Sequence, residues 1–352
     1  MKNKTKIRAV DFFSGAGGMT YGLRQAGVEV LAGVDNDPSC KETYEKNNPG
    51  SIYLCKDVSV YPPKELQKDL GIARKDNEMI FVGCAPCQYW SIIRTTKEKA
   101  KKTKDLIVNF RDFVDYFLPG YVIVENVPGF SIKKESPMKN FVDFLTAKGY
   151  DVNYEIVDMS WYGIPQMRKR FTLVASRMSK PILPAKKSKR SLLKEAIGEQ
   201  NGFLKIKAGH KDETPFVHTC AGLSDKNIER LRLTPKDGGN RDGWQNKKGY
   251  DLDCYIGKEN QFKDNYARMS WNKPAPTITT KFFSISNGRF AHPEENRAIS
   301  LREGASLQTF PKNYKFISNS IAEIAKMIGN AVPPKFAKQL GDLIVKNHEK
   351  RR

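Results

Sequence analysis

Residues 11–18 read Asp-Phe-Phe-Ser-Gly-Ala-Gly-Gly, a glycine-rich segment between an apolar stretch and a helical one. The apolar segment Arg8–Phe13 predicts a strand that runs into it, and Met19–Ala26 predicts a helix that leaves it. Glycines in such a turn let the backbone approach a ligand closely, and the helix N-terminus can receive negative charge. Turns of this kind hold several adenosine-containing cofactors, and some hold no ligand. The order Gly-x-Gly-Gly differs from the dinucleotide fingerprint, which argues against a nicotinamide cofactor.

Strand and helix patterns alternate through the first half of the chain. The further strand candidates are Glu29–Val34, Ile52–Leu54, Met79–Gly83, Tyr121–Glu125, Val152–Met159 and Arg170–Ala175. The further helical patterns are Pro38–Asn47, Asp105–Phe117 and Met138–Lys148. This alternation predicts a mostly parallel sheet covered on both faces by helices. In such sheets, ligands bind at the carboxyl ends of the strands.

The character of the chain changes at a basic, proline-containing connector, Pro181–Arg190. From there to about residue 290, Gly, Asn, Asp and Lys are frequent and the alternation stops, which predicts a second, less regular domain. Ser320–Asn347 is helical again. A length of 352 residues fits two domains or one large domain with an insertion.

The net charge of +21 favours a polyanionic partner, although a merely soluble basic protein would also fit. The six cysteines, together with an N-terminus that carries no secretory pattern, indicate a reducing compartment. No apolar run approaches the length of a membrane span. We therefore expect a cytoplasmic protein.

Two carboxylates follow the second and third predicted strands. Asp35 could accept hydrogen bonds from both hydroxyls of a ribose, or it could be a helix N-cap ahead of Pro38. Asp57 occupies the corresponding place after the third strand and could meet an adenine amino group.

A pair of cysteines follows the apolar strand Met79–Val82. Residues 83–91 read Gly-Cys-Ala-Pro-Cys-Gln-Tyr-Trp-Ser, so that Cys84 and Cys87 form a C-x-x-C. Zinc would need two more ligands at metal spacing, and the other cysteines and the four histidines form no such pair. We therefore expect no metal. A redox dithiol is possible, but it leaves the rest of the chain unexplained.

Charged residues also lie at two later strand ends. Glu125 ends a buried strand, where a carboxylate is costly unless it is paired. Gln166, Arg168 and Arg170 alternate, so they face one side of an extended segment. Surface charge is the alternative interpretation of both arginines.

Taken together and in this order, these segments resemble the DNA cytosine-5 methyltransferase family. Six motifs span the chain except roughly residues 186–265. They are the loop for S-adenosylmethionine (SAM) at Asp11–Gly18, the nucleophile motif Pro86-Cys87-Gln88, the second catalytic motif Glu125-Asn126-Val127, the paired arginines in Gln166–Arg170, the segment Arg268–Thr280 and the closing motif Gly329–Pro333. Ala85 before the Pro-Cys-Gln, and Trp90 where the family often has Phe, are small departures that could alter packing beneath the catalytic loop.

The resemblance implies a covalent mechanism. A Cys87 thiolate would add to carbon 6 of a flipped-out cytosine and make carbon 5 nucleophilic toward the methyl group of SAM. Glu125 would hold N3, Arg168 would contact the O2 side, and Arg170 would orient Glu125. SAM would be held by Phe13, Ser14, Gly15, Ala16, Gly17, Gly18, Met19, Asp35, Asn36, Asp57, Val58, Pro86, Asn330, Ala331 and Val332.

Duplex DNA is the implied partner. Residues 94–104 carry six basic residues and one acidic residue, and we favour phosphate contact over a merely solvated loop. The region 186–265 is expected to recognise the target, with a helix in Leu223–Leu233 capped by Ser224 and a loop at Thr234–Trp244. The candidate DNA contacts are Gln88, Ser91, Arg94, Gln166, Arg230, Arg232, Lys236, Asn240 and Arg241.

The resulting expectation is an α/β, Rossmann-like SAM-dependent methyltransferase with a mostly parallel seven-stranded sheet and a smaller, irregular target-recognition domain. Residues 1–185 and 320–352 would form the catalytic domain, and residues 186–319 the smaller domain and hinge. The chain would act as a monomer in the cytoplasm at the nucleoid, alongside a separate restriction endonuclease.

Three alternatives stay open at this point. A tRNA cytosine-5 methyltransferase would share the fold, but the Cys-Phe-Thr tripeptide of that branch is absent. A binding protein that keeps the fold without catalysis would have no need of Cys87, Glu125 and the paired arginines. A thiol-disulfide protein would depend on Cys84.

Overall fold

A seven-stranded sheet forms the centre of the computed structural model, which describes residues 6–86, 106–133, 135–258 and 260–351. Its strands, in chain order, are β1 (Arg8–Phe12), β2 (Glu29–Asp35), β3 (Ile52–Cys55), β4 (Met79–Gly83), β5 (Tyr121–Asn126), β6 (Asp151–Asp158) and β8 (Lys169–Ser176). Their order across the sheet is β3-β2-β1-β4-β5-β8-β6. The pairs among β1 to β5 are parallel, and β8 is antiparallel to both of its neighbours. The predicted mostly parallel α/β sheet is confirmed, with strand ends within two residues of the prediction.

Helices lie between most of these strands, and further helices follow β8. In chain order they are α1 (Gly18–Gln25), α2 (Lys41–Asn47), α3 (Pro63–Leu70), α4 (Leu106–Phe117), α5 (Gly129–Ile132), α6 (Met138–Ala147), α7 (Lys194–Ile197), α8 (Asp225–Leu233), α9 (Leu301–Leu307), α10 (Ile321–Asn330) and α11 (Pro334–Glu349). The predicted helix Pro38–Asn47 is divided into a 3-10 turn, Pro38–Cys40, and α2. Asp105, at the start of another predicted helix, lies outside the described residues.

The chain divides into two compact units. The first comprises Met1–Asp158, Lys169–Lys186 and Val332–Arg352, and the second comprises Met159–Arg168 and Lys187–Ala331. Residues 159–168 and 320–331, which the sequence grouped with the sheet, therefore cluster with the second unit.

Aromatic side chains and close helix packing build the first unit. The centroid of the Phe12 ring on β1 lies 4.8 Å from the ring centroid of Phe113 and 5.3 Å from those of Phe81 and Phe110. The C-terminal helix α11 packs directly against the backbone of α1 at Gly22. No side chain fits there, because a Cβ on Gly22 would lie 2.2 Å from the Pro334 carbonyl oxygen. This packing fixes the helix that follows the glycine-rich turn.

The second unit has few regular elements. Buried arginine side chains there donate hydrogen bonds to backbone carbonyl oxygens that helices or strands would otherwise satisfy. The largest fully buried side chains of the described residues include Arg241, Arg268, Arg297 and Arg302. Arg268, for example, donates to the carbonyl oxygens of Leu231 at 2.7 Å and His292 at 2.9 Å. Buried loop carbonyls need such donors, because an unsatisfied one costs about 1–3 kcal/mol. A two-stranded ribbon of β7 (Gln166–Met167) and β9 (Ala275–Pro276) is also present.

Across the described residues, no helix has both the length and the apolar character needed to cross a bilayer.

Candidate active site

The glycine-rich turn after β1 is held in a conformation that few residues adopt. Phe13, Gly15 and Gly17 have φ of 60°, 49° and 87°. The backbone N–H groups of Phe13 and Ser14 both donate to the carbonyl oxygen of Val34, at 2.7 and 3.3 Å. Left-handed φ is easy for glycine and strained for phenylalanine, so the contacts around the turn must hold Phe13 in place.

Asp35 fixes this turn from the neighbouring strand. Its Oδ2 accepts a hydrogen bond from the Gly15 N–H at 2.8 Å, and its Oδ1 accepts one from the Asp37 N–H at 2.9 Å. The N-cap ahead of Pro38 is Asp37, whose side chain accepts from the Ser39 N–H. The alternative interpretation of Asp35 as that cap therefore does not apply.

The third strand brings a carboxylate and a cavity to the same edge of the sheet. Asp57 accepts hydrogen bonds from the N–H and the hydroxyl of Ser59, at 2.9 and 2.7 Å. These bonds, followed by one from Asn36, hold the pKa of Asp57 below its ordinary value. Val58 is buried and lines a cavity that also borders α4 at Phe113.

The chemistry of these residues fits SAM. A Cβ on Gly15 would meet nothing within 4 Å, so the turn borders open space. The buried Ser14 Oγ has no hydrogen-bond partner within the described part of the chain. Asp35 and Asp57 supply acceptors for hydroxyl and amino groups, and both carry the charge that favours a cationic ligand. The predicted SAM residues Ala16, Gly17, Gly18 and Met19 are buried beneath the turn.

The segment after β4 leads toward the predicted nucleophile. Cys84 N–H lies 3.4 Å from the Phe12 carbonyl oxygen, Ala85 is buried and Pro86 is exposed. Cys87, Gln88, Ser91 and Arg94, with the rest of the predicted basic loop, lie outside the described residues.

Cys84 itself is unsuited to thiolate chemistry. Burial raises the pKa of its thiol well above the ordinary value, and the carboxylates of Glu125 and Asp11 raise it further. The thiolate is the reactive form of cysteine, so Cys84 stays unreactive at neutral pH. This result argues against the thiol-disulfide alternative.

Glu125 and Arg170 form an ion pair at the end of β5. Arg170 Nε lies 3.1 Å from Glu125 Oε1, and the two side chains are 15% and 9% exposed. Asn126, the next residue of β5, places its Oδ1 2.7 Å from the Val127 N–H and its Nδ2 3.5 Å from the Ala85 carbonyl oxygen. Asn126 thus ties the end of β5 to the segment before Cys87, a positioning role that its place in the motif could have indicated.

Arg168 belongs to the second unit. It is 2% exposed and its Nη1 donates to the carbonyl oxygens of Ile278 and Gly329, at 3.2 and 3.3 Å. It therefore connects the last two predicted motifs. Of the closing motif, Asn330 is exposed, Ala331 is partly exposed and Val332 is buried.

Gln166 is fully buried, and both ends of its amide are used inside the second unit. Its Nε2 donates to the Leu307 carbonyl and to Gln308 Oε1, and its Oε1 accepts from the Ile278 N–H at 3.0 Å. The predicted DNA contact by Gln166 does not fit this placement, because no part of the amide reaches solvent.

The same correction applies to two of the predicted DNA-contacting arginines. Arg230 is 5% exposed and donates to the Tyr250 carbonyl at 2.8 Å. Arg241 is completely buried and donates to the carbonyls of Lys258 and Phe262. Both guanidinium groups hold loops of the protein and are not available to DNA.

The remaining DNA candidates of the second unit do reach the surface. Arg232 and Lys236 are exposed and Asn240 is partly exposed. Ser224 caps α8 as predicted, because its side chain accepts from the Asn227 N–H. Among the described residues, no cluster of three or more His, Cys, Asp or Glu could hold a metal ion.

The arrangement of the first unit defines a class of enzyme. The glycine turn after β1, the segment before Cys87 after β4 and Glu125 near the end of β5 lie at the carboxyl ends of three adjacent strands. This edge is where open α/β sheets bind ligands. A turn that fits SAM, at the same edge of the sheet as the Glu125–Arg170 pair, is consistent with an α/β SAM-dependent methyltransferase.

Comparison with known proteins identifies the family. The family profile described as C-5 cytosine-specific DNA methylase matches residues 7–346. The chain is 36% identical to the type II methylase M.HgiDII of Herpetosiphon aurantiacus, over 92% of this chain and 91% of that protein. It is 28% identical to the type II methyltransferase M.DdeI of Desulfomicrobium norvegicum, over 96% and 88%.

Solved structures share the fold. The crystal structure of a prophage-encoded DNA modification methyltransferase from E. coli superposes with a TM-score of 0.75 at 20% identity, covering 98% of this chain and all of that one. The Dnmt2 methyltransferase of S. pombe gives 0.60 at 18% identity, covering 97% and 99%.

The chain therefore belongs to the C-5 cytosine-specific DNA methylase family, and it is a DNA (cytosine-5-)-methyltransferase. The resemblance drawn from the six motifs is confirmed. The family implies SAM as the methyl donor and DNA as the substrate.

Proposed function

We propose that this enzyme methylates carbon 5 of a cytosine flipped out of duplex DNA, through a covalent bond between Cys87 and carbon 6. The observation that carries the proposal is the Glu125–Arg170 ion pair at the carboxyl end of β5, beside the strand that leads to Cys87. A buried carboxylate held by a guanidinium is suited to bind a ring nitrogen and an exocyclic amino group in a fixed orientation.

Each residue has a defined role in this mechanism. The Cys87 thiolate adds to carbon 6 and the displaced electron pair makes carbon 5 nucleophilic. Glu125 stabilises the ring at N3, Arg170 fixes the orientation of Glu125, and Arg168 contacts the O2 side. When bound, SAM supplies the electrophilic methyl group. A base then removes the proton from carbon 5, and the electron pair of that bond expels Cys87.

The residues at the ends of β1, β2 and β3 would hold SAM. Phe13–Met19 would form the turn beside the methyl donor. Asp35 and Asn36 would form hydrogen bonds with the ribose hydroxyls. Asp57 and Val58 meet the adenine, with the cavity beside Val58 as its candidate place. Pro86 and Asn330–Val332 complete the predicted set.

The cytosine must leave the base stack, because neither face of its ring is reachable within the duplex. We propose that the second unit recognises the target sequence, with Arg232, Lys236 and Asn240 at the DNA surface. Gln88, Ser91 and Arg94, which follow Cys87 in the sequence, would also contact DNA. The exposed side chains of Arg232 and Lys236 support this assignment, because base and phosphate contacts require accessible donors.

The biological setting is a further part of the proposal. The names of the two relatives above, both type II methylases, support a restriction-modification system in which a separate endonuclease cuts the same sequence. The enzyme would act as a monomer in the cytoplasm, where the nucleoid presents its substrate.

Three assays test the proposal. DNA from cells that express the protein is analysed by bisulfite sequencing, which should show one methylated sequence context. A duplex with 5-fluorocytosine at that target should trap the protein through residue 87, because fluorine cannot leave as the proton does. Cys87→Ser should abolish trapping and turnover while SAM binding persists, whereas the exposed Cys254→Ser should behave as the parent protein.

Two outcomes would contradict the proposal. Methylation of unmodified tRNA but not of duplex DNA would decide for the RNA substrate. Full turnover by Cys87→Ser would remove the covalent step.

A further inference from the structure

Asp11 is a buried carboxylate that no step of methyl transfer uses. It lies on β1 just before the glycine turn, and its side chain is completely shielded from solvent. Its Oδ2 accepts hydrogen bonds from the Thr20 N–H at 3.1 Å and from the Thr20 hydroxyl at 2.7 Å. Thr20 is the third residue of α1, and the N-cap residue Gly17 offers no side chain to accept these bonds. Asp11 thus performs the capping that a residue at the N-cap usually provides.

A chain of hydroxyl groups extends from this contact. With the Thr20 hydroxyl donating to Asp11, its oxygen accepts from the Tyr44 hydroxyl at 3.1 Å. The Tyr44 oxygen lies in turn 2.7 Å from Ser51 Oγ. All of these groups are buried, so the bonds reinforce one another in a low dielectric. The carboxylate is the acceptor at which this chain ends.

The surroundings of Asp11 bring its ionisation into the neutral range. Burial raises the pKa of Asp11 to about 7, the two bonds from Thr20 oppose that rise, and the charge of Asp35 adds to it. Its Oδ1 has no hydrogen-bond partner within the described part of the chain. The ionisable groups that face it are Asp35 on β2, Tyr44 on α2 and Cys84 after β4, and Arg24 acts on Tyr44.

We propose that Asp11 is a positioning residue for the methyl donor, which holds the glycine turn by capping α1 and favours the cation of SAM through its own negative charge. The inference rests on the proposed binding of SAM by the residues of this turn. Asp35 contacts the same turn directly at Gly15, so two carboxylates influence one short segment.

Binding and ionisation are then linked. A cation bound at the turn stabilises the ionised form of Asp11, so SAM binding releases a proton from this residue near pH 7. The affinity for SAM is constant above pH 7 and falls below it, by at most about 10-fold per pH unit. Proton release is a property that a purely structural contact would not produce.

Isothermal titration calorimetry with the full chain and SAM itself measures this release. Titrations at pH 6 to 8.5, each in two buffers of different ionisation enthalpy, give the number of protons released. The parent protein should release a fraction of a proton near pH 7, and Asp11→Asn should release none. Asp57→Asn is the matched control, because the pKa of Asp57 is already low. It should weaken binding and leave the proton release intact.

A second pair of variants keeps the test decisive if Asp11→Asn does not fold. Thr20→Val removes the hydroxyl bond that lowers the pKa of Asp11, so the pH of half-maximal release should move upward. Thr20→Ser restores the hydroxyl and should move that pH back. Equal proton release by the parent and Asp11→Asn, or an unshifted pH profile in Thr20→Val, would overturn this inference and leave the proposed function standing. A parent protein that binds no SAM at pH 8 would instead overturn the proposed function.

Discussion

Arg170 at the start of β8 lies diagonally across from Glu125 near the end of β5, with 3.1 Å between Arg170 Nε and Glu125 Oε1. Glu125 is directly opposite Thr172, and Arg170 is two residues farther along the same face. This contact depends on strand direction. Because β8 is antiparallel to β5, its first residues lie at the edge where the parallel strands end. The one reversed strand therefore delivers a guanidinium to the edge where we propose that the cytosine binds.

Loss of this guanidinium should impair catalysis more than SAM binding. Arg170→Ala leaves the buried Glu125 carboxylate without its ion-pair partner, which costs about 1–3 kcal/mol and releases its orientation. We expect kcat to fall roughly 10- to 100-fold, while the Kd for SAM, measured by calorimetry, stays near that of the parent. Arg170→Lys keeps the charge without the planar fork and should be intermediate. Parent kcat in Arg170→Ala would contradict the role assigned to the pair.

Two arginines of the second unit should respond in opposite ways to substitution. Arg241→Ala removes a fully buried guanidinium that ties the carbonyl oxygens of Lys258 and Phe262 together, so we expect the unfolding free energy in urea to fall by about 1–3 kcal/mol. Arg232→Ala, at an exposed position, should leave stability unchanged. It should instead reduce the slope of log K for DNA against log salt by about one. A destabilised Arg232→Ala, or a stable Arg241→Ala with weak DNA binding, would reverse these assignments.

The sheet and the order of its ligand-bearing ends follow from local sequence. Alternating apolar and helical segments indicate the strands, and residues such as Asp35 and Glu125 are found because they come directly after or at the end of a strand. The same information is absent for the irregular unit. Arg241 is buried because it meets carbonyls about 20 residues farther along the chain, at Lys258 and Phe262. No periodicity of the sequence predicts that meeting.

Helix caps and long-range contacts also cannot be predicted from the local sequence. Asp35 and Asp37 both precede Pro38 at plausible distances, and only the structure shows that Asp37 is the cap while Asp35 holds Gly15. Gln166 and Arg230 are polar residues in segments expected to face DNA, yet their partners are protein carbonyls. Polar residue type alone does not distinguish a donor to a ligand from a donor to a buried loop.

The buried pair of Arg297 and Glu303 should make stability depend on pH in the acid range. Burial opposes the ionisation of Glu303, but the hydrogen bonds and charge of Arg297 outweigh it and lower the pKa to about 2 from 4.5. The contribution is therefore complete above about pH 4.5 and is lost as the pH falls toward 2. Glu303→Gln should lower the unfolding free energy at pH 7 by about 3–5 kcal/mol. In urea titrations, the difference in unfolding free energy between Glu303→Gln and the parent should be constant from pH 7 to 5 and should narrow at pH 4 and 3. A difference that does not narrow would refute the linkage.

Cys84 should be dispensable for methyl transfer. Its thiol stays protonated at neutral pH because burial and the nearby carboxylates raise its pKa. Cys84→Ala should keep kcat within about threefold of the parent, since the change removes one small apolar group and no ionised one. With iodoacetamide at pH 7.5, mass spectrometry should find the exposed Cys55 and Cys254 alkylated before Cys84. Loss of turnover in Cys84→Ala would reopen the thiol-disulfide alternative.

Gly329 should tolerate no side chain, because it lies against the backbone of a segment from another predicted motif. A Cβ at this position would be 2.4 Å from the Thr279 carbonyl carbon and 2.5 Å from its oxygen. Neither backbone can yield without moving the carbonyl oxygens of Gly329 and Ile278, to which Arg168 donates. Gly329→Ala should therefore lower both the Tm and kcat, whereas Gly222→Ala in the same unit, with only a distant neighbour at 3.9 Å, should change neither. Differential scanning calorimetry and a tritiated-methyl transfer assay measure the two effects. If Gly329→Ala matched Gly222→Ala in both, the close approach of these segments would not be what positions Arg168.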